Sequence, residues 1–164
     1  MNQLNSVNTG YHFPKRISKM KTTKILNLIA ILFLIANLGV AIFIVLNKSS
    51  IILHWDILGH VTNYGAQQFI LVLPLVSCLI YAILRRYIKD PYKMNYIGSI
   101  VQTEQNATLL RNYLDVASVG VTALFLYVTM CSGGLLPMSP YVVYSIICVV
   151  AGLYIYTRHR LERA

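Results

Sequence analysis

The chain has 164 residues, of which 57% are hydrophobic and 12% charged, and its mean hydropathy is +0.62. A soluble domain carries about 25% charged residues, so an ordinary water-soluble core is excluded and lipid is the solvent for most of the chain. The net charge of +9 does not point to nucleic acid, because the Lys and Arg residues sit beside apolar runs, where they set topology and meet anionic headgroups.

The length fits one domain. Residues 1–24 are polar and end in a basic cluster, Lys15, Arg16, Lys19, Lys21 and Lys24. They read as a cytoplasmic tail. Met20 opens a conventional start, Met-Lys-Thr-Thr-Lys, so residues 1–19 read as a flexible tail or a start-site extension. Residues 25–46 form the first predicted span. Sixteen of these residues are Leu, Ile, Val or Phe, which favours insertion by roughly 5 to 10 kcal/mol before the polar residues are counted. The run is too long for a signal-peptide core and lacks a small-x-small cleavage site, which favours an uncleaved span. Asn27, Ala30, Leu34, Asn37 and Ala41 recur at steps of three and four, so they share a stripe of small and amide side chains that marks a packing face. Asn37, near mid-bilayer, has to find a hydrogen-bond partner there.

Residues 47–66 are a loop. Residues 67–88 are the second span, with Pro74 about two turns inside it, where a proline bends a helix. Asp90-Pro91 breaks that helix. In the long connection 89–114, Ser99-Ile100-Val101-Gln102 fits a capping box, so a separate short helix is expected from there towards Arg111, lying along the headgroups. Residues 115–134 are the third and most polar span, diluted by Ser118, Gly120, Thr122 and Thr129. A helix of that kind belongs inside a bundle. Asp115 sits at its edge, with Arg111 four residues back as the expected partner. Residues 132–140 are a tight Gly-Pro turn. Residues 141–157 are the fourth span, with Ser145, Cys148 and Gly152 as its small-residue stripe, and 158–164 are a second cytoplasmic tail. Cys78, Cys131 and Cys148 all lie in apolar runs with no paired spacing and read as packing residues.

The fold class is therefore all-α: an integral membrane four-helix bundle, residues 25–157, with a structured extracytoplasmic loop between spans one and two. The two tails and the central connection with its flanks, Arg85 and Arg86 included, hold 13 of the 14 Lys and Arg, and the other two connections share Lys48. The positive-inside rule then puts both termini in the cytoplasm and residues 47–66 outside. Trp55 and Tyr141 would mark the outer interface, and Tyr87, Tyr92, Tyr96 and Tyr156 the inner one.

The outer loop concentrates the chemistry: His54-Trp55-Asp56-Ile57-Leu58-Gly59-His60-Val61-Thr62-Asn63-Tyr64-Gly65, with the only tryptophan and two of four histidines. His-Trp-Asp-x-x-Gly, then Tyr-Gly, then a span with Pro74, resembles the domain of unknown function that begins the SdpI-type immunity proteins. His54, Trp55, Gly59, Tyr64 and Gly65 fall on matching positions of its loop. Asp90-Pro91, Asn95-Tyr96 and Glu104-Gln105-Asn106 resemble its second block, so the resemblance covers roughly residues 25–130. Asp56, Val61, Thr62 and Gln67 depart from the family's usual Asn, Pro, Asp and Lys. The resemblance implies a bacterial inner-membrane protein that protects against a secreted peptide toxin.

On its own physics, Gly59 and Gly65 offer positive-φ turning points and Asn63 a turn cap. One reading is that His54, Trp55 and Asp56 fix a small cap over the helix ends, His54 hydrogen-bonding across it. The sharper reading is recognition of a peptide by His54, Trp55, Asp56, Gly59 and Tyr64. A metal site from His54, Asp56 and His60 is a weak third, since the helical His-x-x-x-His spacing and a fourth ligand are missing. No catalytic triad, phosphate loop or paired intramembrane carboxylate is present, so no enzyme and no cofactor is expected. Membrane lipid is the expected partner, with a peptide toxin, a second copy or another membrane protein as further partners. Asn27, Asn37, Ser145 and Gly152 are the expected helix-packing residues. The alternative function is an accessory subunit of a larger membrane complex such as a transporter, and the least favoured is a metal-dependent membrane hydrolase.

Overall fold

The structure, a computed structural model, describes residues 16–93 and 101–162, and the backbone alone for residues 16–21. Its elements in order are helix α1 (Arg16–Asn47), strands β1 (Ser50–Trp55) and β2 (Val61–Ala66), and helices α2 (Val72–Lys89), α3 (Glu104–Ser132) and α4 (Pro140–Glu162). Each of the four helices is long and apolar enough to cross a membrane. The all-α expectation is corrected at one place: the loop between the first two helices is a two-stranded antiparallel hairpin.

Local chemistry sets the helix ends. The Asn47 side-chain amide donates to the Phe43 carbonyl at 2.8 Å and closes α1. A 3-10 turn, Gln67–Leu71, leads into α2. Pro74 therefore lies in the first turn of α2, not two turns inside a helix begun at residue 67. A proline in the first turn breaks no helical hydrogen bond, so here it sets where the helix starts.

The expected break between a surface helix and the third span is also corrected. Ser99 lies outside the described residues, and Val101 to Thr103 are not helical. Thr103 is the cap: its hydroxyl oxygen accepts the Asn106 backbone N–H at 3.2 Å, and the Asn106 side chain donates back to the Val101 carbonyl at 2.9 Å. From Glu104 the helix runs unbroken for 29 residues, roughly 43 Å at 1.5 Å per residue, longer than the hydrocarbon core.

Helix α3 is the centre of the bundle and packs against α1, α2 and α4. Among the four apolar stretches it is the most buried, 39% against 6% for α4, in keeping with its polarity. Ser118, Thr122 and Thr129 are buried, and their hydroxyls donate to the carbonyls of Leu114, Ser118 and Phe125. That back-bonding lets a polar helix face sit inside an apolar bundle. Asp115 is also buried, and its partner is Arg85 of α2 at 2.8 Å. Arg111, the partner expected from spacing, turns instead to Glu104.

The two glycine-lined contacts fix which ends meet. A methyl group on Gly133 would collide with Ile44 near the end of α1, and Gly120 leaves room for Val150 of α4. The hairpin and the α3–α4 turn thus lie at one end of the bundle. The Arg85–Asp115 pair and the Tyr113–Tyr154 ring contact, 5.9 Å between centroids, lie towards the other.

Of the expected packing residues, Asn37 is fully buried and Asn27 accepts a 2.7 Å bond from the Tyr81 hydroxyl. Ser145 and Gly152 are exposed, with Cys148 between them, so this stripe of α4 faces away from the rest of the chain.

Candidate functional site

The hairpin forms because both strands carry β-branched and aromatic residues on either side of a five-residue tip. Ser50-Ile51-Ile52-Leu53-His54-Trp55 pairs with Val61-Thr62-Asn63-Tyr64-Gly65-Ala66, with Ile52 opposite Tyr64, His54 opposite Asn63 and Trp55 opposite Val61; the register shifts on both sides of His54. Hydropathy alone missed this alternation, because the segment is too polar to register as a span and too short to stand out.

Asp56 builds the tip. Its Oδ1 accepts the backbone N–H groups of Leu58 and His60 at 2.9 and 2.8 Å, and its Oδ2 accepts the His60 ring Nδ1–H at 2.9 Å. The Asp56 N–H donates to the His60 carbonyl, and the Gly59 N–H to the Asp56 carbonyl. Gly59 takes φ +90, and a Cβ there would lie 3.0 Å from both the Met138 carbonyl oxygen and Pro140 Cδ. The tip therefore needs glycine twice over, for its backbone angle and for its seat against the α3–α4 turn. The hydrogen bonds to its oxygens, led by the His60 N–H, hold the Asp56 carboxyl below its ordinary value.

His54 bonds across the hairpin, as the cap reading expects. The Thr62 hydroxyl donates to the His54 carbonyl at 3.2 Å, and the same oxygen meets His54 Nδ1. A hydroxyl has one proton, so the ring nitrogen is the donor and the neutral ring carries its proton on Nδ1. His60 is oriented the same way by Asp56. Among the described residues, neither ring's Nε2 has a hydrogen-bond partner.

Two expectations are corrected. Gly65 has no positive φ; it sits in β2, where a side chain would run into Leu53. Asn63 caps no turn, since it is a strand residue opposite His54. Thr62 is engaged by His54 and so supplies no further ligand to His54, Asp56 and His60. Among the described residues, no group of three or more His, Cys, Asp or Glu side chains is placed to hold a metal.

Beneath the hairpin, Ile51 packs with Ala41, Ile44 and Ile70 and roots the strands on the helix ends. Beside this contact lies an apolar groove of about 330 Å³, lined by Ile52, Leu53 and Trp55 of the hairpin, Phe69 and Leu73 of the next segment, and Val128 and Ser132 of α3. Of the expected recognition residues, Trp55 lines this groove. Tyr64 is 63% exposed, and His54 is exposed as well. Asp56 and Gly59 are engaged in holding the tip. The tip also exposes Ile57 (81%) and Leu58 (69%). Sequence reading missed the groove itself, because Phe69, Leu73 and Val128 are unremarkable span residues until three segments converge.

Family models, curated proteins and solved structures give no match to this chain.

Proposed function

We propose that this chain is a non-enzymatic membrane protein whose hairpin end binds the apolar side of a membrane-active peptide and neutralises it. The observation that carries this reading is the groove: an apolar space lined by Trp55 at the hairpin end of the bundle, with exposed apolar residues beside it. Such a concave apolar site with a few polar groups at its edge is the usual form of a ligand pocket. Trp55, Leu53 and Phe69 would contact the ligand, and Tyr64 and the free Nε2 of His54 would supply polar contacts at the rim. Asp56 and Gly59 act one step back, as positioning residues. The charge distribution favours a hairpin outside and both termini in the cytoplasm, and the resemblance to SdpI-type immunity proteins favours the inner membrane of a bacterium.

Trp55 is the chain's one tryptophan, so its fluorescence reports on the groove alone. Titrating detergent-solubilised protein with a tryptophan-free amphipathic peptide is expected to give a saturable blue shift, absent in Phe69→Glu. In cells, Trp55→Ala is expected to abolish tolerance to such peptides at unchanged protein level. A flat titration across a panel of such peptides, together with full protection by Trp55→Ala, would sink the reading.

A second reading, accessory subunit of a larger membrane complex, rests on the exposed Ser145, Cys148 and Gly152 of α4. Purification in mild detergent separates the two: a stoichiometric membrane partner favours the second, and a lone chain that still shifts with peptide favours the first.

A further inference from the structure

Away from the hairpin, we propose a buried water-binding site at the middle of the bundle, between α1, α2 and α3, with Asn37 and Ser77 as its hydrogen-bond donors. Both residues have no exposed surface. Among the described residues, neither amide atom of Asn37 nor Ser77 Oγ has a hydrogen-bond partner. A bare amide and a bare hydroxyl are among the costliest groups to bury in a lipid-surrounded core, where no bulk solvent can serve them.

Fixed contacts set the level of these residues. Helices α1 and α2 run antiparallel, with Ala41 and Ile44 packed near Ile70 at one end and Asn27 bonded to Tyr81 at the other. Counting inward from both contacts puts Asn37 about level with Pro74, and Ser77 about one turn further from the hairpin. Helix α3 runs parallel to α1, with Ile44 beside Gly133 at one end and Thr23 near Asp115 towards the other. The same count puts Thr129 near the level of Asn37 and Thr122 near that of Ser77.

The chemistry of these four side chains is complementary but incomplete. Thr122 and Thr129 give their hydroxyl protons to carbonyls of α3, so what they have left is lone pairs. Asn37 has two unused N–H donors and an unused carbonyl oxygen, and Ser77 has an unused O–H. By that count, donors on α1 and α2 share a level with acceptors on α3 and have no direct bond to them. Water bridges such a set, because it accepts from one side and donates to the other. A cation does not fit: no carboxylate belongs to this layer, and Asp115, roughly 10 Å along α3 from Thr122, is neutralised by Arg85.

The test uses the full chain in lipid nanodiscs with 15N-labelled asparagine. The Asn37 side-chain signal is identified as the one lost in Asn37→Gln. A cross-peak from this NH2 group to water is expected. A resolved NH2 signal with cross-peaks to protein protons and none to water would overturn the site. Melting temperatures are expected to be equal in sodium chloride and choline chloride, and a sodium-specific rise would replace water by a cation and defeat the proposal. Asn37→Leu is expected to lower the melting temperature, since it strips the bridge from Ser77 and the threonines. A higher melting temperature would mean that Asn37 was a dry, unpaired amide.

Discussion

Asp56 and Asp115 solve the same problem in opposite solvents. Asp56 sits in the exposed hairpin tip and is held by partners no more than four residues away, two backbone N–H groups and the His60 ring. Asp115 is 2% exposed, and its partner is an arginine 30 residues distant on another helix. Where water competes, a carboxylate organises only what is already beside it. In a dry bundle, a bare carboxylate is so costly that it demands a full opposite charge and ties two helices together to get it. The hairpin tip is therefore organised by its own near neighbours, while the bundle is held by contacts that exist only once it has assembled.

The comparison is most easily broken at the bundle. Asp115→Ala leaves the part-buried Arg85 without its counter-charge. Removing one partner of a buried pair costs about 3–5 kcal/mol, and the lower end applies because the Arg85 side chain is 28% exposed. Thermal unfolding in detergent is expected to show that loss, and Asp115→Leu combined with Arg85→Met is expected to recover most of it. A single mutant as stable as the parent would mean that the pair ties nothing.

Two glycines sharpen the contrast at intermediate cost. A methyl group on Gly133 meets Ile44, which is fully buried and has nowhere to go; one on Gly65 meets Leu53, which is 43% exposed and can swing aside. Overpacking a closed site costs about 1–3 kcal/mol, so Gly133→Ala is expected to fall in that range and Gly65→Ala below it. Equal losses in the two melts would show the hairpin to be as rigid as the bundle.

The smallest effect is a pH dependence confined to the tip. The Asp56 carboxyl titrates below its ordinary 3.8 because the His60 N–H and ring stabilise its charged form. A carboxyl lowered on folding stabilises the fold above its unfolded value, and that contribution disappears as pH falls through the folded value. Trp55 fluorescence is expected to change only as pH falls below the ordinary carboxyl value of 3.8, as the tip loosens. In Asp56→Asn, which keeps an acceptor oxygen but cannot titrate, the curve is expected to be flat. An unchanged transition in that variant would assign it to another group.

The four helices were legible because hydropathy is summed along the chain and needs no partner. The tip of the site was half legible: His54, Trp55, Asp56 and Gly59 stood out by residue type, and the bond across from His54 was expected. Where the reading failed, two local signals competed or the answer lay elsewhere in space. Ser99-x-x-Gln102 and Thr103-x-x-Asn106 offer the same kind of cap four residues apart, and the helix begins at the second, where Asn106 reciprocates. Gly65 looked like a turning point, but its reason is the bulk of Leu53 on the opposite strand. Arg111 has the right spacing for Asp115, yet α2 brings Arg85 closer.

The sequence by itself determined that this polypeptide makes four apolar helices with a polar, aromatic interval after the first, because those properties depend on each residue and its near neighbours. Tertiary structure alone decided that the interval lines a groove together with Phe69 and Val128, that Arg85 answers Asp115, and that Asn37 and Ser77 are sealed inside while Ser145 and Gly152 are left outside. Those outcomes depend on which helix faces which, and a stripe of small or polar residues carries no mark of the neighbour it will meet.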